Sequence, residues 1–360
     1  MDSLILKGYD MNFYLSNGYL NIPKVDEYAN KHGVAFVLII GKRQIGKTYG
    51  VLKFELDSGD NFVLMRRTGK ELGLISRGIN SPFEAIDGYQ NRVNFIGSAD
   101  DSTMELSITD TTSDGVTIDR SIGLAVALNT IANIRGFNGR PYRTLVYDEA
   151  IPESHVYKIP HEDEAFLNAY MTINGNRELS GEPPLRCYIL ANSNKLDCAI
   201  LKALKLTEIV ERMTIAGEEF RLLKERGIMI FLPDSKEITE KHKKTALFKA
   251  IGGESDFTKM ALDNEFSHND FSDVGRRDLS QYRCVAHLGA VSLFKHKSKS
   301  ELYVCNIIEQ FDAPVYPSTE HFKNKFSKEF PNVRAYYMRG RIVFQSATVK
   351  SYFVDFILNK

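Results

Sequence analysis

In "VLIIGKRQIGKTYGVLKF", residues 37–54, four aliphatic residues run into Gly41, and Gly46, Lys47 and Thr48 follow five residues later. "GKRQIGKT" satisfies G-x-x-x-x-G-K-[ST], the spacing of a phosphate-binding loop. Its glycines let backbone N–H groups curl around an anion without Cβ clashes. A helix beginning just beyond them adds the positive end of its dipole. On this reading Gly41, Lys42, Arg43, Gln44, Ile45, Gly46, Lys47, Thr48 and Tyr49 enclose the phosphates of ATP. Lys47 reaches the β and γ phosphates, and the Thr48 hydroxyl binds Mg²⁺.

Such a loop needs an acid at the tip of a second buried strand. "RTLVYDEA", residues 143–150, supplies Asp148 after Leu145, Val146 and Tyr147, with Glu149 next in line. Asp148 is expected to hold Mg²⁺ through its water shell, and Glu149 to polarise a water for in-line attack on the γ-phosphorus. An adjacent glutamate favours a hydrolase over a kinase or a GTPase. A third strand, "LRCYILANSN" (185–194), ends in Asn192. In ATP-driven motors a polar residue there touches the γ-phosphate or the attacking water; an asparagine closing a strand is otherwise a turn former.

The elements that must position these groups are those of an α/β fold. "VAFVLII" is apolar throughout, as in a strand of a parallel sheet buried on both faces, and "KTYGVLKFEL" can start a helix. "NFVLMRR" (61–67) is another buried strand. Shorter strands are expected at 92–97, 103–109 and 115–119, and "SIGLAVALNTIANI" (121–134) can continue the sheet before turning helical. Residues 162–174 fit an amphipathic helix, as does "NKLDCAILKALKL", and "IMIFLPDS" (228–235) closes the core. From residue 236 the chain becomes charged and glycine-punctuated. Strands "YRCVAHLGAVSLF" and "ELYVCNIIEQF", a basic helix near 319–329, "RIVFQS" and a terminal helix then form a separate small α/β unit. The domains expected are 1–235, 236–272 and 273–360.

A chain of 360 residues, 43% hydrophobic and 26% charged, has the composition of a soluble globular protein with two or three domains. Its net charge is zero, yet residues 273–360 carry 14 Lys/Arg against 8 Asp/Glu, which suggests an anionic partner at that end. The four cysteines show no C-x-x-C spacing, which disfavours a zinc site or a disulfide framework. No apolar run reaches membrane-spanning length, and the N-terminus lacks the pattern of a signal peptide. An intracellular protein without membrane contact is expected.

The motifs "IIGKRQIGKTYG", "FVLMRRTGKEL", "TLVYDEA", "NRELSGEPPLRCYILAN" and "MALDNEF" together resemble the genome-packaging (DNA encapsidation) ATPases of small podophages of the Salasmaviridae group, relatives of the large terminases. The resemblance spans roughly residues 35–270 and is weaker beyond. It implies a P-loop NTPase motor domain of the ASCE type with a RecA-like parallel sheet, a small linker domain, and a C-terminal domain like an RNase H or retroviral-integrase nuclease. It further implies a homomeric ring, typically a pentamer, docked on the portal of a prohead in the cytoplasm of an infected bacterium. There the ring drives double-stranded DNA inward, in some relatives together with a structural RNA. By motif, Lys47 and Thr48 serve nucleotide and Mg²⁺, Asp148 is the Walker B acid, Glu149 the catalytic base and Asn192 the coupling residue. Arg43 matches an arginine within the family's loop.

Two departures stand out. The family's trans-acting arginine finger aligns with Gly175, which leaves Arg177, two residues on, or Arg135 in "NIRGFNGRPY" as candidates. The leading strand of the C-terminal domain carries no carboxylate, and Asp278, Asp312 and Asp355 are scattered, whereas two-metal cleavage needs clustered acids. That domain is therefore expected to dock rather than cut, with His287 a core or edge residue. His155, His161 and the neighbouring "HEDE" acids are expected in solvent. Arg66, Arg67, Lys70 and Arg77 are basic candidates for DNA contact. The competing readings are a helicase or AAA-type remodeller and a nucleotide-binding assembly protein. A single P-loop, no tryptophan and strands returning after the sheet speak against the first, and Glu149 against the second.

Overall fold

Four apolar runs have no polar face, and a strand without a polar face must be covered on both sides. Phe36–Gly41 (β1), Asn61–Arg66 (β2), Tyr142–Tyr147 (β6) and Arg186–Asn192 (β7) are buried almost throughout, in the middle of a nine-stranded sheet. The structure, a computed structural model, describes residues 13–97, 103–130, 138–153, 159–193, 196, 198–251, 273–306 and 312–358. It divides into two units, one of Met1–Leu204 with Gly217–Ser267 and one of Lys205–Ala216 with His268–Lys360.

The first unit adds Val93–Ile96 (β3), Thr103–Thr111 (β4), Thr117–Ala127 (β5), Phe220–Leu223 (β8) and Ile228–Phe231 (β9). The sheet order is β3-β4-β5-β2-β6-β7-β1-β9-β8. All pairings from β5 to β9 are parallel, and both edges are antiparallel hairpins or meanders. Val37, Ile39, Phe62, Leu64, Val146, Tyr188 and Leu190 share one face with Ile22–Lys31 (α1) and Lys47–Ser58 (α2). On the other face Tyr147 stacks on Phe166 of Glu162–Asn174 (α4), with ring centroids 5.6 Å apart. Gly69–Ile75 (α3) follows β2, its start fixed by a reciprocal Thr68–Glu71 capping box. The expected strand at 115–119 proves to be the beginning of β5, which absorbs the apolar run as far as Ala127. The helix expected over "NKLDCAILKALKL" is confined to Ala199–Ala203 (α5) among the described residues. After β9, Lys236–Lys243 (α7) and Ala246–Ile251 (α8) occupy part of the stretch read as a linker.

The second unit comprises Thr207–Ala216 (α6), Tyr282–Leu288 (β10), Val291–His296 (β11), Leu302–Cys305 (β12), Val315–Tyr316 (β13) and Ile342–Phe344 (β14). Three helices complete it: Glu320–Glu329 (α9), Val333–Met338 (α10) and Ala347–Leu358 (α11). The leading strand turns back on itself at Gly289 (φ +56°), so "RCVAHLGAVSLF" forms the hairpin β10–β11. β12 extends this meander, while β13 and β14 add parallel strands at opposite edges. Helix α6 comes from residues that local sequence grouped with the first domain. Its Glu211 carboxylate accepts from Ala347 N at 3.0 and 3.1 Å, placing negative charge at the start of α11.

Gly123 marks the place where β4 and β5 shift register and β5 lies against β2. A Cβ there would meet Phe62 O at 2.1 Å. Gly123→Ala is therefore expected to destabilise the first unit by about 3 kcal/mol through overpacking. A urea titration followed by tyrosine fluorescence checks this, and an unchanged midpoint would show that β5 can move aside.

Candidate active site

Parallel strands in register end along one line, and the loops that leave them meet there. Gly41 is the register partner of Asn192, Tyr147 of Ile189 and Met65 of Tyr147, so the exits of β1, β2, β6 and β7 share one edge of the sheet. The phosphate-loop residues, Asp148, Glu149 and Asn192 all lie at those exits.

The loop turns through two left-handed residues, Gln44 (φ +58°) and Gly46 (φ +85°). At position 46 glycine is also required by space, since a Cβ would press on the Tyr19 ring at 3.0 Å. Ile45 is buried and anchors the loop against the core. Helix α2 starts at Lys47, whose ammonium donates to Gly41 O (3.0 Å), Lys42 O (2.5 Å) and Asn192 Oδ1 (3.1 Å). Burial pushes the Lys47 pKa down to about 7, against the opposing pull of Asp148. A cation so poorly solvated, held by neutral oxygens at the mouth of a glycine loop, fits an anionic phosphate.

Thr48 Oγ1 donates to Asp148 Oδ1 at 2.8 Å, joining the start of α2 to the tip of β6. Arg66, at the end of β2, is paired with Asp148 Oδ2 at 2.9 Å and lies 3.7 Å from Glu149 Oε2. Asp148 is buried, whereas Glu149 adopts φ +56° and turns its carboxylate outward. A left-handed glutamate costs about 1 kcal/mol or more, a strain typical of residues held for function. The hydroxyl and carboxylate pair of Thr48 and Asp148 is a hard-oxygen donor set suited to Mg²⁺. A cavity of about 370 Å³ gathers the loop residues 43–44 and 46–49 with Glu149 and Asn192, and adds His242, Leu247 and Phe248.

Several side chains have roles that local sequence did not indicate. Arg66 orients the two acids, so its candidacy for DNA contact lapses. Arg67 is 1% exposed and grips Glu162 in a two-point pair at 2.6 and 2.9 Å. That pairing also corrects the expectation that the "HEDE" acids all face solvent: Glu162 is buried, while His161 is exposed. Lys42 is buried and bonded to Asp234 and, at 2.6 Å, to Thr239 Oγ1. Arg43 pairs with Glu153.

The finger role expected of Arg177 does not fit its position. It is 2% exposed, and its guanidinium donates to Asn174 O, Tyr142 O and Gly139 O at 2.9–3.0 Å. Tyr142 opens β6, so this clamp lies at the end of the strand away from Asp148. Arg135, His155 and "MALDNEF" lie outside the described residues. In the second unit His287 is buried, with its ring nitrogen 2.8 Å from Ser292 Oγ. Asp278 caps a turn through Ser280, Asp355 is exposed on α11, and Asp312 borders a cavity with Arg283, Lys295 and Lys297.

Arg177→Ala strips three carbonyls of this donor, two of them in buried bonds, and is expected to destabilise the first unit by about 3 kcal/mol. Urea titration measures this; a trans-acting finger would leave the midpoint where it was.

Residues 24–354 match the family described as Podovirus DNA encapsidation protein (Gp16). A DNA packaging protein of Bacillus phage B103 is 25% identical over 241 residues, which cover 66% of this chain and 65% of that relative, slightly under two thirds of its length. Among solved structures, the bacteriophage Phi-29 viral genome packaging motor assembly aligns over 91% of this chain and 96% of its own, with a TM-score of 0.59 at 17% identity. The Phi-28 gp11 DNA packaging motor aligns over 93% and 97%, with a TM-score of 0.53 at 16% identity. At such identities the likeness is one of fold, and it agrees with the P-loop α/β architecture described above. With a family match running from α1 into α11, the chain belongs to the Podovirus DNA encapsidation protein family.

Proposed function

We propose that this chain is the ATP-hydrolysing subunit of a motor that drives double-stranded viral DNA through the portal into a prohead. The observation that carries this reading is the meeting of Lys47, Thr48, Glu149 and Asn192 on one cavity, with Asp148 bonded to Thr48 behind them. The loop N–H groups and Lys47 bind the β and γ phosphates of ATP. Mg²⁺ held by Thr48 and Asp148 would supply charge neutralisation between those phosphates. Arg66 holds Asp148 in place and lies beside Glu149, whose outward carboxylate can take a proton from an attacking water. Lys47 must release Asn192 to reach a phosphate, so the tip of β7 is free to answer to the γ-phosphate. That exchange is a direct route from hydrolysis to movement of the sheet edge.

The partners that follow are double-stranded DNA, the portal protein and further copies of the chain in a ring, a pentamer by family resemblance. A structural RNA is an additional partner suggested by some relatives. The motor works in the cytoplasm of the infected host, docked on the prohead. In this reading the second unit serves docking rather than cleavage, its Asp278, Asp312 and Asp355 being scattered along the unit.

Lys47→Ala is expected to weaken ATP binding by at least 100-fold, and Glu149→Gln to keep ATP affinity while lowering turnover by 100-fold or more. Calorimetry and phosphate release measure the two, and equal loss of both in Glu149→Gln would make that residue structural. Proton linkage gives a further signature. With its pKa near 7, free Lys47 is charged at pH 6 and mostly neutral at pH 8. A bound triphosphate raises that pKa, so binding takes up nearly one proton at pH 8, takes up none through Lys47 at pH 6, and weakens as pH rises above 7. Calorimetry at pH 8 in buffers of different ionisation enthalpy reads this directly. Binding without uptake would contradict a lowered Lys47 pKa.

A further inference from the structure

Helices α7 and α8 belong to a stretch whose sequence reads as a connector, yet they wall the phosphate cavity. His242, Leu247 and Phe248 line it together with Lys47, Thr48 and Glu149. The His242 and Phe248 rings stack nearly parallel, 6.2 Å between centroids and 11° between planes, and so make this wall of the cavity aromatic. Helix α7 is tied to the loop itself. Lys42 is bonded to Asp234 and Thr239 at the start of α7, and Lys241 donates to Asn17 O at 2.8 Å. The His242 side of this aromatic wall is thereby held beside the phosphate-binding residues.

Its chemistry is wrong for phosphate. Leu247 and Phe248 have no polar side-chain atom, and burial with Lys42 nearby lowers the His242 pKa, which leaves a neutral imidazole at pH 7. The anionic end of a nucleotide is already served by Lys47 and the loop. The aromatic end of a nucleotide calls instead for a π face. A larger apolar cleft of about 850 Å³ also borders Gly46 and Tyr49, but it includes none of Lys47, Glu149 and Asn192.

We infer that the His242–Phe248 pair is the stacking platform for the base of the bound nucleoside triphosphate. This rests on the nucleotide reading above and adds to it the element that recognises the nucleoside. Stacking is tolerant of base identity because every base has a π face. The platform also ties base binding to α7, the first helix after the sheet, which the phosphate loop already grips through Lys42.

The chain contains no tryptophan, so Phe248→Trp introduces a single reporter at the platform. Titrated with ATP, the full-length variant is expected to lose indole emission, whereas inorganic tripolyphosphate binds without that loss. In parallel, Phe248→Ala is expected to weaken ATP binding about tenfold or more while tripolyphosphate affinity stays within twofold of the parent chain. Equal emission changes with both ligands, or equal weakening of both in Phe248→Ala, would overturn the platform and leave the phosphate site standing. An emission unmoved by bound ATP would place the base elsewhere, in the larger cleft, and overturn it as well. Failure of the parent chain to bind either ligand would overturn the nucleotide reading itself.

Discussion

The hydrogen bond from Thr48 to Asp148, 2.8 Å long, joins two elements that are 100 residues apart in sequence. It exists because β1 and β6 are parallel strands on either side of β7, and end at the same height. The chemistry of the site depends on that alignment. A one-residue slip between any two of these strands would turn every buried side chain to the opposite face and pull the loops out of register. All-apolar strands buried on both faces resist such a slip, since each residue already has a packed neighbour. The glycine loop, the two acids and Asn192 are therefore placed by hydrophobic packing first, and by their own hydrogen bonds second.

Charge is then brought to this edge at some cost. Arg66, Asp148, Arg67 and Glu162 are all buried, and each has a partner of opposite sign within about one hydrogen bond. Buried pairs of this kind contribute little net stability, because desolvation offsets most of the attraction. Removing one partner, by contrast, leaves an unpaired buried charge and costs about 3–5 kcal/mol. The pairs thus act as positional locks on the exits of β2 and β6. Lys47 is the exception. Held by neutral oxygens with its pKa near 7, it is the group in the site that gains most from an arriving anion.

The contrast between what sequence revealed and what it did not follows distance along the chain. Lys47, Thr48, Asp148, Glu149 and Asn192 could be read because each sits at a fixed offset from an apolar strand. Arg67 with Glu162 and Lys42 with Asp234 and Thr239 are separated by 95, 192 and 197 positions, and no local pattern announces a partner so remote. His242 and Phe248 were hidden differently, in a charged segment with the look of a linker. Arg177 was misleading because it follows a helix end closed by Gly175 and Asn176, both left-handed, a setting that usually lies in solvent. Its neighbour in space, Gly139, held a clue: a Cβ there would strike Ile173 O at 1.7 Å, so the chain is packed tightly against this turn.

The central claim is that the site at these strand ends turns ATP hydrolysis into movement of DNA. The direct measurement is nuclease protection of DNA by purified proheads supplied with this chain, double-stranded DNA, Mg²⁺ and ATP. The account predicts that full-length DNA becomes protected only when hydrolysable ATP is present, and that Glu149→Gln chain assembled on the same proheads protects none. Protection with a non-hydrolysable analogue, or undiminished protection by the Glu149→Gln chain, would contradict it.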